Sequence, residues 1–332
     1  MSAEFTHHGG RLAEACARFG GKAANWLDLS TGINPFSWQP DAGLSVDWKA
    51  LPDEGALTRL EHAAAGFFGC DATLCAAVPG SETGLRQLAR LLALPGLHQP
   101  LSYGTYRAAF AQTDAIEDLA HLPHRASVLV LGNPNNPDGH ILPIAKLLSL
   151  LDHQERHGGW LIVDEAFADC DPGWSIAGAV APGRRLIVLR SFGKFFGLAG
   201  LRLGFVIAPP KVLEGLREGL GDWPVHAAAL AFGAAAYTDR TWIDAARSDL
   251  TFQANALDAM LQRHGLSSRG GCPLFRLIVA PNAGDMFRRL AHRHILTRPF
   301  AERPDLLRIG LPHGDAAVAR LDAALAEVCG HG

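Results

Sequence analysis

Along the middle of the chain the apolar residues switch repeatedly between two periods. Ser127-Val128-Leu129-Val130-Leu131 is a continuous apolar run of strand length, closed by the turn-forming stretch Gly132-Asn133-Pro134-Asn135-Asn136-Pro137-Asp138-Gly139. Ile144, Leu147, Leu148 and Leu151 then recur at i, i+3, i+4 and i+7, which predicts one face of a helix ended by Gly158-Gly159. Trp160-Leu161-Ile162-Val163-Asp164 reads as the next strand. Strand, helix and strand in this order make a βαβ unit. Strands this apolar belong to a parallel sheet with both faces covered. Residues 185–190 and 203–207 predict two further buried strands.

The last third follows a different plan. Residues 239–264 predict a long amphipathic helix through Ile243, Ala246, Leu250, Leu257 and Leu261. A strand at 274–279, a helix at 285–293, a strand at 306–311 and a helix at 318–328 complete a smaller α/β layer. The Gly-, Trp- and Pro-containing segment 219–224 is the natural boundary. The segment up to Pro40 has too little periodicity to fold alone. The expected division is therefore a large domain at 41–220 and a small one built from 1–40 and 221–332. The N-terminal segment packs on the small domain or covers the substrate.

Composition narrows the class. The 332 residues are 48% hydrophobic and 19% charged, which supports a sizeable core and excludes a disordered chain. A net charge of −3 argues against a nucleic-acid binder, which needs a basic face. Six scattered cysteines, with no C-x-x-C pair, fit small buried side chains in a reducing cytoplasm better than disulfides or a metal site. The opening residues lack a basic stretch followed by an apolar one, and no segment is long and apolar enough for a membrane, so neither a secretory signal nor a span is expected.

Three polar clusters adjoin these apolar runs. Asp164 ends a strand, where a carboxylate either caps the next helix or serves as a buried anion for a protonated ring nitrogen. In Ser191-Phe192-Gly193-Lys194-Phe195-Phe196-Gly197 one lysine stands among glycines and phenylalanines after a strand. Apolar surroundings favour the neutral, nucleophilic amine; the alternative is a lysine lying along the surface with its head in water. Arg202 follows as a fixed cation. Pro79-Gly80-Ser81-Glu82-Thr83-Gly84 precedes a helical face of Leu85, Leu88, Ala89 and Leu92. Small residues and hydroxyls at a helix start suit a phosphate, or merely cap the helix. This is neither a Walker loop nor G-x-G-x-x-G, which counts against a nucleotide enzyme.

An amine, a carboxylate, a phosphate cradle and a second phosphate cation are the requirements of pyridoxal phosphate. Their order here, Gly-Ser-Glu-Thr, Asn-Pro-Asn-Asn-Pro-Asp-Gly, Asp-Glu-Ala-Phe, Ser-x-x-Lys and then Arg, resembles the aspartate-aminotransferase superfamily of fold type I. The resemblance implies an α/β fold with a mostly parallel sheet sandwiched by helices, a smaller α/β domain, a homodimer and bound pyridoxal phosphate. It makes Lys194 the lysine that holds the cofactor and Asp164 the partner of its ring nitrogen. Asn136 would donate to the ring hydroxyl and Tyr103 would stack on the ring. Gly80, Ser81, Glu82 (through its backbone), Ser191 and Arg202 would hold the phosphate. Arg308, in Leu307-Arg308-Ile309-Gly310, would fork the substrate carboxylate.

His8-Gly9-Gly10 and Asp28-Leu29-Ser30-Thr31-Gly32-Ile33-Asn34-Pro35 narrow the resemblance to the threonine-phosphate decarboxylases of cobalamin biosynthesis, a family close to the histidinol-phosphate aminotransferases. That likeness implies a phosphorylated amino acid as substrate, contacted by His8, Gly9, Asn34 and Asn136. Arg298 and Arg308 would hold its anionic ends. A solvated histidine and a surface ion pair are the plainer alternatives for His8 and Arg298. The rival activity is an aminotransferase for histidinol phosphate or an aromatic amino acid. Phe167 and Leu51 stand where many relatives have tyrosines that reach the cofactor, the second from the neighbouring subunit.

Overall fold

The structure is a computed structural model that describes residues 5–6 and 8–330. Two compact units account for the fold. The larger comprises Ser37–Asn136 and Ile141–Ala245, and the smaller comprises Met1–Phe36, Pro137–His140 and Ala246–Gly332.

The larger unit is organised on seven strands: β1 (Cys75–Val78), β2 (Gly96–His98), β3 (Thr113–Ala115), β4 (Val128–Gly132), β5 (Trp160–Asp164), β6 (Leu186–Ser191) and β7 (Gly204–Ile207). They lie in the order β1-β7-β6-β5-β4-β2-β3. The neighbours from β3 to β6 pair in parallel, with Leu131 opposite Val163, Gly132 opposite Asp164, and Ile162 opposite Ile187. β7 is the exception: it runs antiparallel to both β6 and β1. Its apolar run alone carries no direction. β4, β6 and β7 are buried at nearly every position, as strands covered on both faces must be.

Helices α1 (Glu54–Phe68), α2 (Ser81–Leu92), α3 (Ile144–Arg156), α4 (Pro210–Leu220) and α5 (Ala227–Thr238) belong to this unit. α2 buries Gly84, Leu85, Leu88 and Ala89 at helical spacing. Each buried leucine contributes about 1.5–3 kcal/mol. The face of α3 is rotated from the predicted one. Leu147, Leu150, Leu151 and Gln154 point inward while Ile144, in the first turn, is 38% exposed. α5 is apolar all round and packs on α1, which draws the segment 219–224 inside the larger unit.

Helix α6 (Arg240–Arg263) buries the predicted face, Ile243, Ala246, Leu250, Leu257 and Leu261. The smaller unit carries an antiparallel sheet of β8 (Ser268–Arg269), β9 (Phe275–Val279), β10 (Arg298–Pro299) and β11 (Leu306–Gly310), in the order β10-β11-β9-β8. Helices α7 (Ala283–Ala291) and α8 (Gly314–Cys329) belong to it, as does an N-terminal helix at Leu12–Phe19. The N-terminal segment packs here. Leu27–Asp28 pairs in parallel with Ile295–Leu296, and the Phe19 ring meets those of Trp26, Phe287 and His292. Among the described residues no helix is long and apolar enough to cross a membrane, and all six cysteines are free thiols.

Candidate active site

In an open α/β sheet the crevice beyond the carboxyl ends of the parallel strands collects whatever those ends carry. Here β4 ends at Gly132, β5 at Asp164 and β6 at Ser191. A cavity of about 200 Å³ opens at this edge of the larger unit. Gly80, Ser81, Glu82, Tyr103, Asn136, Asp164, Ser191, Lys194 and Arg202 all line it. All the positions singled out for the cofactor therefore meet in one place.

The wall formed by the start of α2 depends on two glycines. Gly80 has φ +91°, and a Cβ there would lie 3.0 Å from Arg202 Nη2, so its absence lets the guanidinium lie against the helix start. A Cβ at Gly204 would collide with the amide nitrogen of Ser81, so β7 and the start of α2 approach more closely than any side chain allows. Helical bonding begins with the Gly84 N–H donating to Gly80 O, which leaves the amides of Ser81, Glu82 and Thr83 ahead of it. Those amides and Arg202 are donors of the kind that suit a phosphate.

Tyr103 stands against this wall. Its hydroxyl donates to Glu82 Oε2 at 2.9 Å, and Glu82 Oε1 accepts from Arg86 at 3.0 Å. The Glu82 side chain thus holds the tyrosine. Burial pushes the Tyr103 phenol up to about 12, so it remains a donor.

Asp164 is buried at the end of β5. Its Oδ1 accepts from the Ala166 N–H at 3.1 Å and its Oδ2 from the Tyr106 hydroxyl at 3.0 Å. Burial pushes its carboxyl up to about 6, while Tyr106, the Ala166 amide and Lys194 hold it from rising further. Lys194 lies in a helical turn, Phe192–Phe195, whose Phe192 and Phe195 are buried. A Cβ at Gly193 would lie 2.6 Å from Ala199 Cα, which is why the residue before the lysine carries no side chain. The Lys194 Nζ lies 6.0 Å from the centre of the Phe167 ring, and that ring is buried in the cavity wall.

The residues present fit pyridoxal phosphate. Gly80 leaves a space a Cβ would fill, a buried carboxylate faces the cavity, and an amine and an aromatic ring line it. Without a tyrosine at 167, Asn136 is the lining amide suited to the ring hydroxyl.

The other predicted positions belong to the smaller unit. Arg308 Nη2 donates to Ser30 O at 2.7 Å, and Ser30 Oγ accepts from the Gly10 N–H at 2.7 Å. A Cβ at Gly9 would strike the Ser30 carbonyl. Asn34 is buried and its Oδ1 accepts from the Phe36 N–H at 2.9 Å. Arg298 stands directly opposite Arg308 across β10 and β11, so two guanidinium-bearing side chains leave the same face of one sheet. Both are buried, Arg298 over Phe300 and Arg308 over Phe275. His8 is half-buried.

Two features escaped the sequence reading. Tyr106, three residues after Tyr103, reaches the Asp164 carboxylate. Behind the cavity, Arg190 bridges Glu165 and Asp169, all three almost wholly buried. Glu165 also accepts from Ser175 Oγ and from the Ile176 N–H, both at 2.6 Å, and the Arg190 guanidinium lies 4.4 Å from the Phe68 ring centre. Burial raises the Glu165 carboxyl against the pull of Arg190. Burial also acts to lower Arg190, but Asp169 and Glu165 outweigh it and keep the guanidinium charged. The one sequence signal was a charge at each end of the otherwise apolar run 185–190.

Comparison with known proteins agrees with this geometry. The chain matches the family described as aminotransferase class I and II over residues 105–325. It is 40% identical to a threonine-phosphate decarboxylase from a Sinorhizobium species, over 99% of each chain. It is 41% identical to a protein of the same name from Pseudomonas aeruginosa, over 96% of each. Among solved structures, histidinol-phosphate aminotransferase from Sinorhizobium meliloti, in complex with pyridoxal-5'-phosphate, superposes with a TM-score of 0.83 at 20% identity, covering 96% of this chain and 94% of that one. The chain belongs to the class I and II aminotransferase family, a pyridoxal-phosphate fold, and is similar along its whole length to threonine-phosphate decarboxylases.

Proposed function

We propose that this protein is a pyridoxal-phosphate-dependent lyase that decarboxylates L-threonine O-3-phosphate to (R)-1-amino-2-propanol O-2-phosphate and carbon dioxide, a step of cobalamin biosynthesis. The name shared by its 40% and 41% identical relatives supports the reaction. The observation that carries the substrate class is the pairing of Arg298 with Arg308. Two buried guanidinium groups at directly opposite positions of neighbouring strands offer donors for two anionic groups on one face of the sheet. A phosphorylated amino acid brings a phosphate and a carboxylate.

Pyridoxal phosphate, when bound, supplies an electron sink for the pair left when a bond at the substrate α-carbon breaks. The remaining roles fall to the chain. Lys194 holds the cofactor through its amine and moves the proton at the α-carbon. Asp164, as an anion, keeps the proton on the ring nitrogen. Tyr103 packs on the ring face and Asn136 donates to the ring hydroxyl. Gly80, Ser81, Glu82, Ser191 and Arg202 take the cofactor phosphate. Arg308 forks the substrate carboxylate, Arg298 takes the substrate phosphate, and His8, Gly9 and Asn34 complete that contact.

Incubation with L-threonine phosphate alone releases carbon dioxide stoichiometrically with the amine product. Conversion of the cofactor to its amine form without carbon dioxide would make the protein an aminotransferase instead. Removing a charged hydrogen bond costs about 1.5–3 kcal/mol, roughly ten- to a hundredfold in affinity. Arg298→Ala therefore weakens threonine phosphate by that factor and scarcely alters binding of unphosphorylated threonine. Equal losses would take the phosphate away from Arg298.

A homodimer is part of the same reading. Trp48, Leu51 and Trp223 are 75%, 67% and 53% exposed, large apolar side chains that a second copy would cover. Sedimentation of the active protein gives twice the chain mass; an active monomer would refute it.

A further inference from the structure

We infer that Tyr106 is a positioning residue for the cofactor chemistry, acting through its hydrogen bond to Asp164 to keep that carboxylate an anion aimed into the cavity. The inference rests on the reading that this cavity holds pyridoxal phosphate.

The geometry is specific. Tyr106 is 2% exposed, and its hydroxyl donates to Asp164 Oδ2 at 3.0 Å. The ring is held edge-on to Tyr103, with centroids 5.7 Å apart, and the Tyr106 N–H donates to Tyr103 O at 2.9 Å. The path to the carboxylate crosses the strand beside it. Gly132 is the residue directly opposite Asp164 in the β4–β5 register, and a Cβ at Gly132 would lie 3.2 Å from the Tyr106 oxygen. The missing side chain at 132 gives the hydroxyl room to reach its partner.

The electrostatics explain why such a donor matters. A buried carboxylate drifts towards its neutral form, and a neutral acid holds no proton on a ring nitrogen. Asp164 is faced by Tyr106 and Lys194, which favour its charge, and by the adjacent Glu165, which opposes it. Tyr103 is the other titratable group beside it. Tyr106 is itself raised well above 10 by burial and by the Asp164 charge, so it stays a donor across the working pH range. A hydrogen bond to a charged acceptor is among the stronger ones a protein makes.

The test is a double-mutant cycle on the cofactor-loaded enzyme with Tyr106→Phe, Asp164→Asn and the pair. Tyr106→Phe keeps the ring and removes one oxygen. Cofactor affinity falls about ten- to a hundredfold in the wild-type background and less than about threefold when Asp164 is already Asn. The pH at which the visible band of the bound cofactor changes also moves, and Tyr106→Phe does not move it further in the Asn background. Equal losses in both backgrounds would mean that Tyr106 serves only packing, and would overturn the inference. A second measurement needs no cofactor. In the cofactor-free full chain the Asp164 carboxyl titrates at higher pH in Tyr106→Phe than in wild type, and an unchanged titration likewise refutes the role. A wild-type protein that binds the cofactor but releases no carbon dioxide from threonine phosphate would remove the proposed substrate while leaving the cycle intact.

Discussion

Lys194→Ala abolishes both carbon dioxide release and the visible absorption of bound cofactor, and leaves the larger unit folded. The chain has five lysines, and only Lys194 lines the cavity. Lys22, Lys49 and Lys211 are exposed, and Lys146 is half-buried on α3. The variant therefore has no replacement amine. Positioned proton transfer alone contributes about 10²–10⁴-fold to a rate, and loss of the covalent anchor comes on top of that. The fold survives because the half-buried lysine is flanked by the buried Phe192, Phe195 and Phe196, which carry the packing of this turn. Borohydride reduction of the wild type followed by peptide mapping fixes the cofactor at residue 194. Label on any other lysine would sink the assignment.

The largest expected stability effect lies behind the cavity. Arg190→Met leaves Glu165 and Asp169 buried without their cation, and breaking a buried ion pair from one side costs about 3–5 kcal/mol. The pH dependence follows from the sign of the Glu165 shift. Its carboxyl is already raised by burial, and losing Arg190 raises it further. A carboxyl raised in the folded state contributes stability that is fully present below its unfolded value and is lost as pH rises through the folded one. The variant should come closest to wild type near pH 4 and fall behind through neutrality. Urea midpoints at acid and neutral pH check this. A loss below about 1 kcal/mol at pH 7, or a deficit independent of pH, would show that the three charges do not act together.

Much of the site was legible because its chemistry is carried by short contiguous strings. Asp164-Glu165-Ala166-Phe167 and the stretch from Ser191 to Arg202 follow apolar runs that could only be strands, and strand ends in an α/β sheet converge. The direction of β7 was not legible, since an apolar run of four residues reads the same either way. Nor was the rotation of α3. A polar Gln154 is buried at its inner end, where Ser127 Oγ donates to its Oε1 at 3.3 Å, and Ile144 is left outside. The Tyr106–Asp164 bond and the Arg190 bridges join residues brought together only by the fold. The pairing of Arg298 with Arg308 was equally hidden, because a two-residue strand gives no periodic signal. The chain from 41 to 127 went largely unread: α1, β2 and β3 are short or uniformly mixed in polarity.

Ser191 and Gly204 are partners across β6 and β7, so residues 192–203 form an excursion whose two ends are pinned together. Lys194 and Arg202 both ride on it. A ligand that engages both is held bivalently, and the second anchor meets it at an effective concentration fixed by the closed loop rather than by the solution. Losing the Arg202 anchor then changes how long the ligand stays more than how fast it arrives. An insertion within the excursion weakens both grips at once without altering either residue, because it loosens the chord between them.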